Sequence, residues 1–439
     1  MKKKKKTAQA SEIKIYYPED RIPLVRVAPM GLQHVVAMFG GTVLAPILMG
    51  FSPQVTLFFS GIGTLIFILV TRFKVPSYLG SSFAFIGPVV AVTGGDAAKI
   101  PLALCGIAGA AVLYAVAALI TLRWGSRWID HLMPPVVTGS VVALIGLNLA
   151  SSAVTNAINA KLEVNNAHDL TQLAIAAVTF LVAALVSLHL KGFLRLLPVL
   201  IGVITGYVMA LLLGALDPQR VSQIRNARWI GLPPFQHPAF SVNALLVIAP
   251  VFIVLVAENK GHLAAISGTM GRDLTPHLGR AYLGDAIATF VSAMGGGTPQ
   301  TTYAENMGVM AITRVYSTYN FVMAAFIAIL LGLCPKFGAL IQSIPNPVLG
   351  GITLILYGII ALMGVRIWID AKVDFSNQRN LVVAGASLIA ATGLGVKGVT
   401  VAGVNLAGIA VGTLLAMLLN LALSAGNREM DNGVGGHCE

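Results

Sequence analysis

The chain has 439 residues, of which 56% are hydrophobic and only 10% are charged, and its net charge is +12. A soluble domain carries roughly 25% charged residues and has too little interior to hide so much apolar surface, so lipid must cover much of this chain. Composition therefore excludes soluble, disordered and disulfide-stapled classes, the last because three Cys form no framework. Membrane topology explains the positive charge, and no nucleic-acid partner is expected.

Apolar stretches suited to crossing a bilayer recur along the whole chain. A hydrocarbon core of about 30 Å needs about 20 apolar residues per helix, and Pro, Gly and charged residues separate such stretches. The fourteen stretches are 29–50, 53–71, 76–95, 101–122, 133–153, 169–189, 194–215, 242–259, 279–295, 299–314, 318–334, 345–364, 380–394 and 400–424. The sequence thus predicts an all-α polytopic membrane protein whose third and tenth spans are short and interrupted.

Basic residues divide unequally between alternate loops. One side holds 22 Lys and Arg, including Lys2 to Lys6, and the other side holds 7. The positive-inside rule then places both termini in the cytoplasm. No apolar segment follows the lysines before about residue 29. The basic arm is therefore interpreted as a topology determinant rather than a signal peptide, with binding to anionic lipid as the sharper alternative.

The third and tenth spans resemble each other. Residues 81–90 read SSFAFIGPVV and residues 301–310 read TTYAENMGVM, each after a stretch rich in turn-forming residues. A separation of seven spans reverses orientation, so the pattern predicts two inverted seven-span halves. Ser-Ser-Phe and Thr-Thr-Tyr favour extended backbone, which survives at membrane depth only inside protein or beside a water-filled cavity. We expect the two short strands to pair and to aim the following half-helices at a transport site.

Five ionisable residues fall in or beside the predicted spans: His34, Glu258, His262, Asp285 and Glu305. A charge at the bilayer centre costs at least about 2.5–3.5 kcal/mol, so such residues are functional candidates. Glu258 and His262 are four residues apart and share one helical face. His34 and Asp285 are expected to be structural partners more often than functional ones.

Each remaining candidate also has an ordinary structural explanation. Glu258 could pair with Lys260 at the end of a helix, and Glu305 could cap its half-helix, a role that is compatible with binding. His262 could simply hydrogen-bond a neighbour instead of handling substrate or protons. Tyr357 could be a packing residue, or it could cover one face of a flat ligand.

Several long motifs resemble the nucleobase–ascorbate transporter family, most closely its bacterial uracil and pyrimidine permeases. The similarity runs from about residue 22 to residue 424, nearly the whole chain. The motifs are GLQH at 31–34, AMFG at 37–40, PSYLGSSFAF at 76–85, AENKGH at 257–262, TPQTTYAEN at 298–306, GVMAITRVYST at 308–318 and PNPVLGG at 345–351.

This resemblance implies fourteen spans in two inverted repeats that build a core domain and a gate domain. The core domain would comprise 29–125 (spans 1–4) and 240–340 (spans 8–11), the gate domain 132–218 (spans 5–7) and 343–425 (spans 12–14), with a basic arm at 1–28 and a tail at 426–439. It also implies proton-coupled import of a nucleobase, foremost uracil, across the bacterial inner membrane by movement of the core against the gate.

The same resemblance assigns a site. Binding carboxylates fall on Glu258 and Glu305, a site histidine on His262, backbone contacts on Phe83, Tyr303 and Ala304, a small residue facing the ligand on Gly41, and a gate-side aromatic on Tyr357. Glu258, His262 and Glu305 would couple the proton, His34 and Asp285 would support the site, and no metal or other cofactor is implied. Gly41, Lys260, Asp285 and Ala304 depart from the family's uracil permeases, which leaves the exact base open.

Three other functions stay under consideration. A xanthine or urate permease is one, because purines share the imide edge of uracil. An anion transporter or channel of the same fold is another, although two acids argue against it. A membrane enzyme would need a nucleophile–base pair or a metal cluster, and neither is evident. The expected partners are therefore a nucleobase, protons and membrane lipid, with a homodimer through the gate domain as a further hypothesis.

Overall fold

The computed structural model describes residues 15–159, 163–401 and 404–433. Residues 1–14, which carry the predicted basic arm with Lys2 to Lys6, and the end of the tail after residue 433 lie outside the described residues. Within the described part, helices dominate and two pairs of short strands interrupt them.

The described residues of the first half of the chain form ten α-helices and one strand. They are α1 (Leu24–Met49), α2 (Pro53–Val70), β1 (Leu79–Ser81), α3 (Ile86–Thr93), α4 (Ile100–Trp124), α5 (Arg127–Leu132), α6 (Pro135–Asn148), α7 (Ala150–Ala157), α8 (Ala167–His189), α9 (Pro198–Leu212) and α10 (Pro218–Asn226). Three 3-10 helices lie at Phe83–Phe85, Ala97–Lys99 and Gly192–Leu196.

The described part of the second half forms nine α-helices and three strands. They are α11 (Val242–Ile248), α12 (Phe252–Met270), α13 (Leu278–Met294), β2 (Gln300–Thr302), α14 (Ala304–Thr313), α15 (Thr318–Gly332), α16 (Pro335–Gln342), α17 (Asn346–Asp370), α18 (Gln378–Leu394), β3 (Val399–Val401), β4 (Val404–Leu406) and α19 (Gly408–Gly433). Two 3-10 helices lie at Ala249–Val251 and Thr275–His277.

Proline and glycine mark many of the helix ends. Pro53, Pro135 and Pro198 are the first residues of their helices, where a missing N–H costs nothing and the fixed φ suits the helix. Gly50 and Gly271 follow α1 and α12 in the left-handed conformation that closes a helix C-terminus. The prolines and glycines that were used to divide the sequence into spans therefore lie at the ends of helices in the structure.

Each of the fourteen predicted stretches contains a helix. Seven helical segments in the described part are long and apolar enough to cross a bilayer, and an eighth results if α15 and α16, bent by 82°, form one crossing. The chain is thus a multi-pass, predominantly helical membrane protein.

Two predicted boundaries are wrong. The eighth span was expected to end near residue 259, but α12 continues to Met270 because Leu263 and Ile266 bury its inner face beyond that point. Glu258 and His262 therefore lie within a helix and not at its end. The last stretch begins with the antiparallel hairpin of β3 and β4, and its helix starts only at Gly408.

The predicted pairing of the two broken segments is confirmed. β1 and β2 form an antiparallel two-stranded sheet in which Leu79 faces Thr302 and Ser81 faces Gln300. The extended residues lie slightly earlier than the sequence suggested, because Phe83 already belongs to a 3-10 turn that leads into α3. All six strand residues are buried, so protein and not lipid surrounds this non-helical backbone.

Helices from both halves of the chain enclose the small sheet. α2 packs on β1, α13 and α12 pack on β2, and α1 contacts both β1 and α14. On the other side, α17 packs against α6, and α6 in turn contacts α12. This arrangement places α12, the sheet and the two half-helices together inside the molecule.

Candidate functional site

Two helices begin at the ends of the small sheet. The 3-10 turn at Phe83–Phe85 runs into α3, and α14 starts at Ala304. Since the strands are antiparallel, the two helices lead away from the sheet in opposite directions. Neither preceding residue, Ser82 or Tyr303, caps its helix with a side chain. First-turn N–H groups have no intrahelical partner and carry partial positive charge, so both helix starts offer hydrogen-bond donors to a ligand.

The Tyr303 amide is already engaged within the sheet. Its N–H donates to the Tyr78 carbonyl at 3.2 Å, and the Ser82 N–H donates to the Pro299 carbonyl at 2.9 Å. Strand pairing therefore uses the Tyr303 N–H in this conformation, so this donor is not free for a ligand carbonyl. Donors remain available one residue later, from Ala304 onward.

The Tyr303 side chain occupies space that two glycines leave open. Its hydroxyl donates to the Ser81 carbonyl at 2.9 Å. A Cβ added at Gly41 would lie 2.8 Å from the Tyr303 Oη, and one added at Gly80 would collide with the same phenol ring. The structure thus packs Gly41 against Tyr303, which fixes this aromatic ring across the sheet.

β2 holds the two candidate residues of α12. The Thr301 hydroxyl donates to Oε2 of Glu258 at 3.3 Å, and the Thr302 hydroxyl lies 2.8 Å from Nδ1 of His262. Glu258 and His262 lie one helical turn apart on the same face of α12, and each contacts one of the two threonines. The two hydrogen bonds therefore join α12 to β2 at two points.

Glu305 lies in the first turn of α14 and faces the same region as Glu258. Both side chains are partly buried, and the two carboxyl groups interact electrostatically. No ion pair among the described residues involves either of them. Two acids that form no ion pair with another described residue thus lie beside two helix N-termini, where their charge interacts favourably with the helix dipoles.

Asp285 is fully buried and belongs to a separate polar cluster. Its Oδ2 accepts hydrogen bonds from the Asn259 amide and from the Tyr114 hydroxyl, the latter at 3.5 Å. Asn259 is the residue next to Glu258 in α12, so the cluster lies behind the site. Asp285 therefore links α4, α12 and α13.

His34 lies on the far side of α14. Its Nδ1 is 3.1 Å from the Asn306 amide, which also donates to the His34 carbonyl at 3.0 Å. Its ring packs on Phe321 with centroids 4.4 Å apart. These contacts fasten α14 to α1 and α15, and they place His34 among packing residues.

Tyr357 of α17 reaches the other side of the region. Its ring meets the Phe83 ring edge to face, with centroids 6.4 Å apart and planes at 80°. Both rings are buried, and the Tyr357 hydroxyl has no hydrogen-bond partner within the described chain. An aromatic surface therefore borders the helix starts opposite α12.

Sequence reasoning missed several residues that the structure brings into this region. Thr301 and Thr302 were read only as strand formers, although their hydroxyls bind the two candidates on α12. Asn259 was overlooked although it follows Glu258 directly, and Tyr114 has no local signal because it comes from α4. The TTY residues at 301–303, within the motif TPQTTYAEN, were the one clue available for the threonines.

This arrangement suits a small, neutral and flat molecule. The carboxylates accept hydrogen bonds, the helix starts donate them, and Phe83 and Tyr357 offer aromatic faces. A site for an anion would instead be expected to contain Lys or Arg near the helix N-termini.

Two solved membrane proteins have the same fold as this chain. Murine Slc26a9, an anion transporter solved in the inward-facing state, matches with a TM-score of 0.68 at 11% identity over 97% of this chain and 74% of the other. The transmembrane domain of the cyanobacterial bicarbonate transporter BicA matches with a TM-score of 0.64 at 13% identity over 93% of this chain and all of that domain. The chain therefore shares the fold of these two proteins.

Sequence comparison identifies the family. The model of the Permease family, Xan_ur_permease, matches residues 26–404. The chain is 46% identical to "Putative pyrimidine permease RutG" of Escherichia coli K12 over 94% of this chain and 93% of the relative. It is 41% identical to a uracil permease of Bacillus caldolyticus over 94% and 96%, and 41% identical to the uracil permease of Escherichia coli K12 over 86% of each. The chain belongs to this permease family, the nucleobase–ascorbate transporters, and is not an enzyme.

Proposed function

We propose that the protein is a proton-coupled symporter that imports a nucleobase, with uracil as its main substrate. The observation that carries this proposal is that Glu258 and Glu305, which form no ion pair among the described residues, lie beside two uncapped helix starts. The uracil and pyrimidine permeases among its relatives support the choice of substrate.

Uracil has ring N–H donors and carbonyl acceptors, which match the two kinds of group at the site. Glu258 and Glu305 accept from the N–H groups, and amides at the start of the Phe83 turn and of α14, including Ala304, donate to the carbonyls. Phe83, Tyr303 and Tyr357 border the ring. A base without these N–H groups leaves buried carboxylate oxygens unpaired, which is a large penalty against binding.

Proton coupling follows from the cost of burying these acids. An ionised carboxylate in a low-dielectric site is unfavourable, and a neutral base brings no charge that balances it. A proton taken up near Glu258 and His262, with Glu305 beside them, lowers the cost of burying the carboxylates while the nucleobase is bound. Release of the proton and the nucleobase to the cytoplasm then empties the site. No other cofactor is required.

The transport cycle requires parts that move relative to each other. We assign α1–α4 and α11–α15 to a core domain and α6–α9 and α17–α19 to a gate domain, in fourteen spans arranged as two inverted halves. Rocking of the core against the gate then exposes the site to each side in turn. Both termini lie in the cytoplasm in this scheme, the membrane is the bacterial inner membrane, and the gate domain is available for homodimer contact.

Binding to purified protein separates the pyrimidine and purine alternatives. We expect uracil to bind, and excess xanthine or hypoxanthine to displace little of it. Displacement of labelled uracil by xanthine with equal strength would favour a purine permease.

Uptake into proteoliposomes tests the coupling. An imposed inward proton gradient should raise uracil accumulation well above the level reached without a gradient. Equal accumulation in the two cases would remove proton coupling from the proposal. Salt-dependent currents without uracil uptake would favour the anion alternative that the fold relatives represent.

A further inference from the structure

The chain ahead of α1 crosses the ends of two helices that carry the site. We define residues 15–23 as the N-terminal strap. Tyr16 forms a parallel bridge with Val315, in which its N–H donates to the Arg314 carbonyl at 3.1 Å and its carbonyl accepts from the Tyr316 N–H at 2.8 Å. The strap is therefore bonded, backbone to backbone, to the segment that directly follows α14.

A second set of bonds anchors the strap to the start of α15. The Pro18 carbonyl accepts from both the N–H and the hydroxyl of Thr318, at 3.1 and 2.8 Å. The Ser317 hydroxyl donates to the Asp20 carbonyl at 2.7 Å. Thr318 and Ser317 are fully buried, so these bonds are shielded from water and hold the strap firmly against the α14–α15 turn.

The strap also reaches the end of α12. The Arg272 guanidinium donates to Oε1 of Glu19 at 2.7 Å and lies 3.5 Å from the centre of the Tyr17 ring. Partial burial raises the pKa of Glu19, but the hydrogen bonds from Arg272 and from the backbone, together with the positive charges of Arg272 and Lys74, bring the pKa below its usual value. Glu19 is thus ionised at neutral pH, and it forms with Arg272 a latch between the strap and α12.

α12 and α14 are the helices that bear Glu258 and Glu305. At about 1.5 Å per residue, the latch lies roughly 20 Å along the helix from Glu258, and the bridge lies about 15 Å from Glu305. Helices of this length move as rigid rods, so a shift at one end changes the separation of the two carboxyl groups. Tyr316, which follows α14, also contacts the last turn of α12 directly, because its hydroxyl donates to the Thr269 carbonyl at 2.8 Å.

We propose that the N-terminal strap positions α12 and α14 relative to each other, with Glu19 and Arg272 as its positioning residues. This inference rests on the proposed function for its link to binding, but the strap's hold on the two helices is independent of that function. Neither residue touches the site, and each acts through the helix to which it is joined.

Amide hydrogen exchange of the protein without a bound nucleobase tests whether the strap stabilises the ends of α12 and α14. In Glu19→Gln and Arg272→Gln, the amides of Tyr16 and Tyr316 and those in the last turns of α12 and α14 should exchange several-fold faster than in the unaltered protein. The matched control is Arg366→Gln, which breaks an exposed pair with Asp370 on α17, away from the strap. Unchanged exchange in α12 and α14, or an equal change in the control, would overturn the proposal.

Binding affinity then tests positioning. Whether the unaltered protein binds uracil tests the proposed function, and this test does not depend on the strap variants. Each single variant should weaken the affinity for uracil by about two- to fivefold, as expected for an exposed ion pair, without a matching fall in thermal stability. Glu19→Gln combined with Arg272→Gln should weaken it no more than the worse single variant. The strap would have no positioning role if the losses of uracil affinity in the two single variants added up in the double variant. The same conclusion would follow if each loss of affinity were matched by a fall in thermal stability.

Discussion

Glu258 and Glu305 differ from Asp285 and His34 in the hydrogen bonds that they receive from neighbouring side chains. Asp285 has Asn259 and Tyr114, and His34 has Asn306, so both are held by neighbouring side chains. Glu258 accepts a hydrogen bond from the Thr301 hydroxyl at 3.3 Å and also interacts with the Ser82 hydroxyl. A partly buried carboxylate with spare acceptor capacity favours a ligand that donates hydrogen bonds.

Glu258→Gln and Glu305→Gln keep the size of the side chain but remove its charge. Each should weaken uracil binding by about 10- to 150-fold, because a hydrogen bond to a charged group is worth about 1.5–3 kcal/mol. Isothermal titration of purified protein measures this loss, and thermal unfolding in the same detergent checks that the fold is intact. Normal affinity in either variant would contradict the assignment of the site.

The two buried histidines should respond differently to replacement by Leu. His262→Leu should abolish gradient-driven accumulation and lower the free energy of unfolding by about 1–3 kcal/mol, because the buried Thr302 hydroxyl loses its partner while the strand pairing remains. His34→Leu should lower the free energy of unfolding by a similar amount, since the Asn306 amide loses a buried partner, but it should leave gradient-driven accumulation intact. Proteoliposome uptake and thermal unfolding of both variants test this contrast, and the reverse pattern would refute it.

At the scale of elements, the short sheet sets the geometry of the site. Three residues on each strand bring two half-helices together, and Tyr303 is packed across the sheet over Gly41 and Gly80. Glycine is required at residue 80 because the phenol ring occupies the place of a side chain. The sequence signal for this sheet was a pair of motifs, but the exact strand residues depended on how the two segments meet.

Gly80→Ala should therefore displace Tyr303 and disturb the sheet. Forcing a methyl group into a closely packed site costs about 1–3 kcal/mol, so we expect a lower melting temperature and weaker uracil binding. Gly268→Ala on α12 is a matched control, because an added Cβ there meets no atom within 4 Å and helix propensity favours Ala by about 1 kcal/mol. If Gly80→Ala were as stable as Gly268→Ala, the proposed packing of Tyr303 would be wrong.

At the scale of the whole molecule, the uneven distribution of Lys and Arg predicts which side of each helix lies in the cytoplasm. The strap agrees with this arrangement, because it joins the chain before α1 to the ends of α12 and α14, all on the predicted cytoplasmic side. Lys372 and Lys397 lie at opposite ends of α18 and are both exposed.

Cysteine labelling tests this topology. In a variant without the three native cysteines, Lys372→Cys should react with an impermeant thiol reagent only from the cytoplasmic side. Lys397→Cys should react only from the outside. Labelling of both positions from one side would mean that α18 does not cross the membrane, and reversed labelling would overturn the cytoplasmic location of the termini.

Local properties of the sequence determined the class of this protein. Hydropathy, charge asymmetry, proline and glycine punctuation, and the motifs around residues 81, 258 and 305 act over short stretches, so they can be read without knowing what packs against them. They predicted a multi-pass helical permease, the broken segments and the pair of acids.

Only the tertiary structure decided how distant segments meet. Tyr303 bonds to Ser81 across 222 residues, Asp285 to Tyr114 across 171, and Arg272 to Glu19 across 253. Such contacts depend on the packing of whole helices, and no local pattern encodes them. The engaged Tyr303 amide, the buried cluster behind Glu258 and the N-terminal strap therefore emerged only from the folded chain.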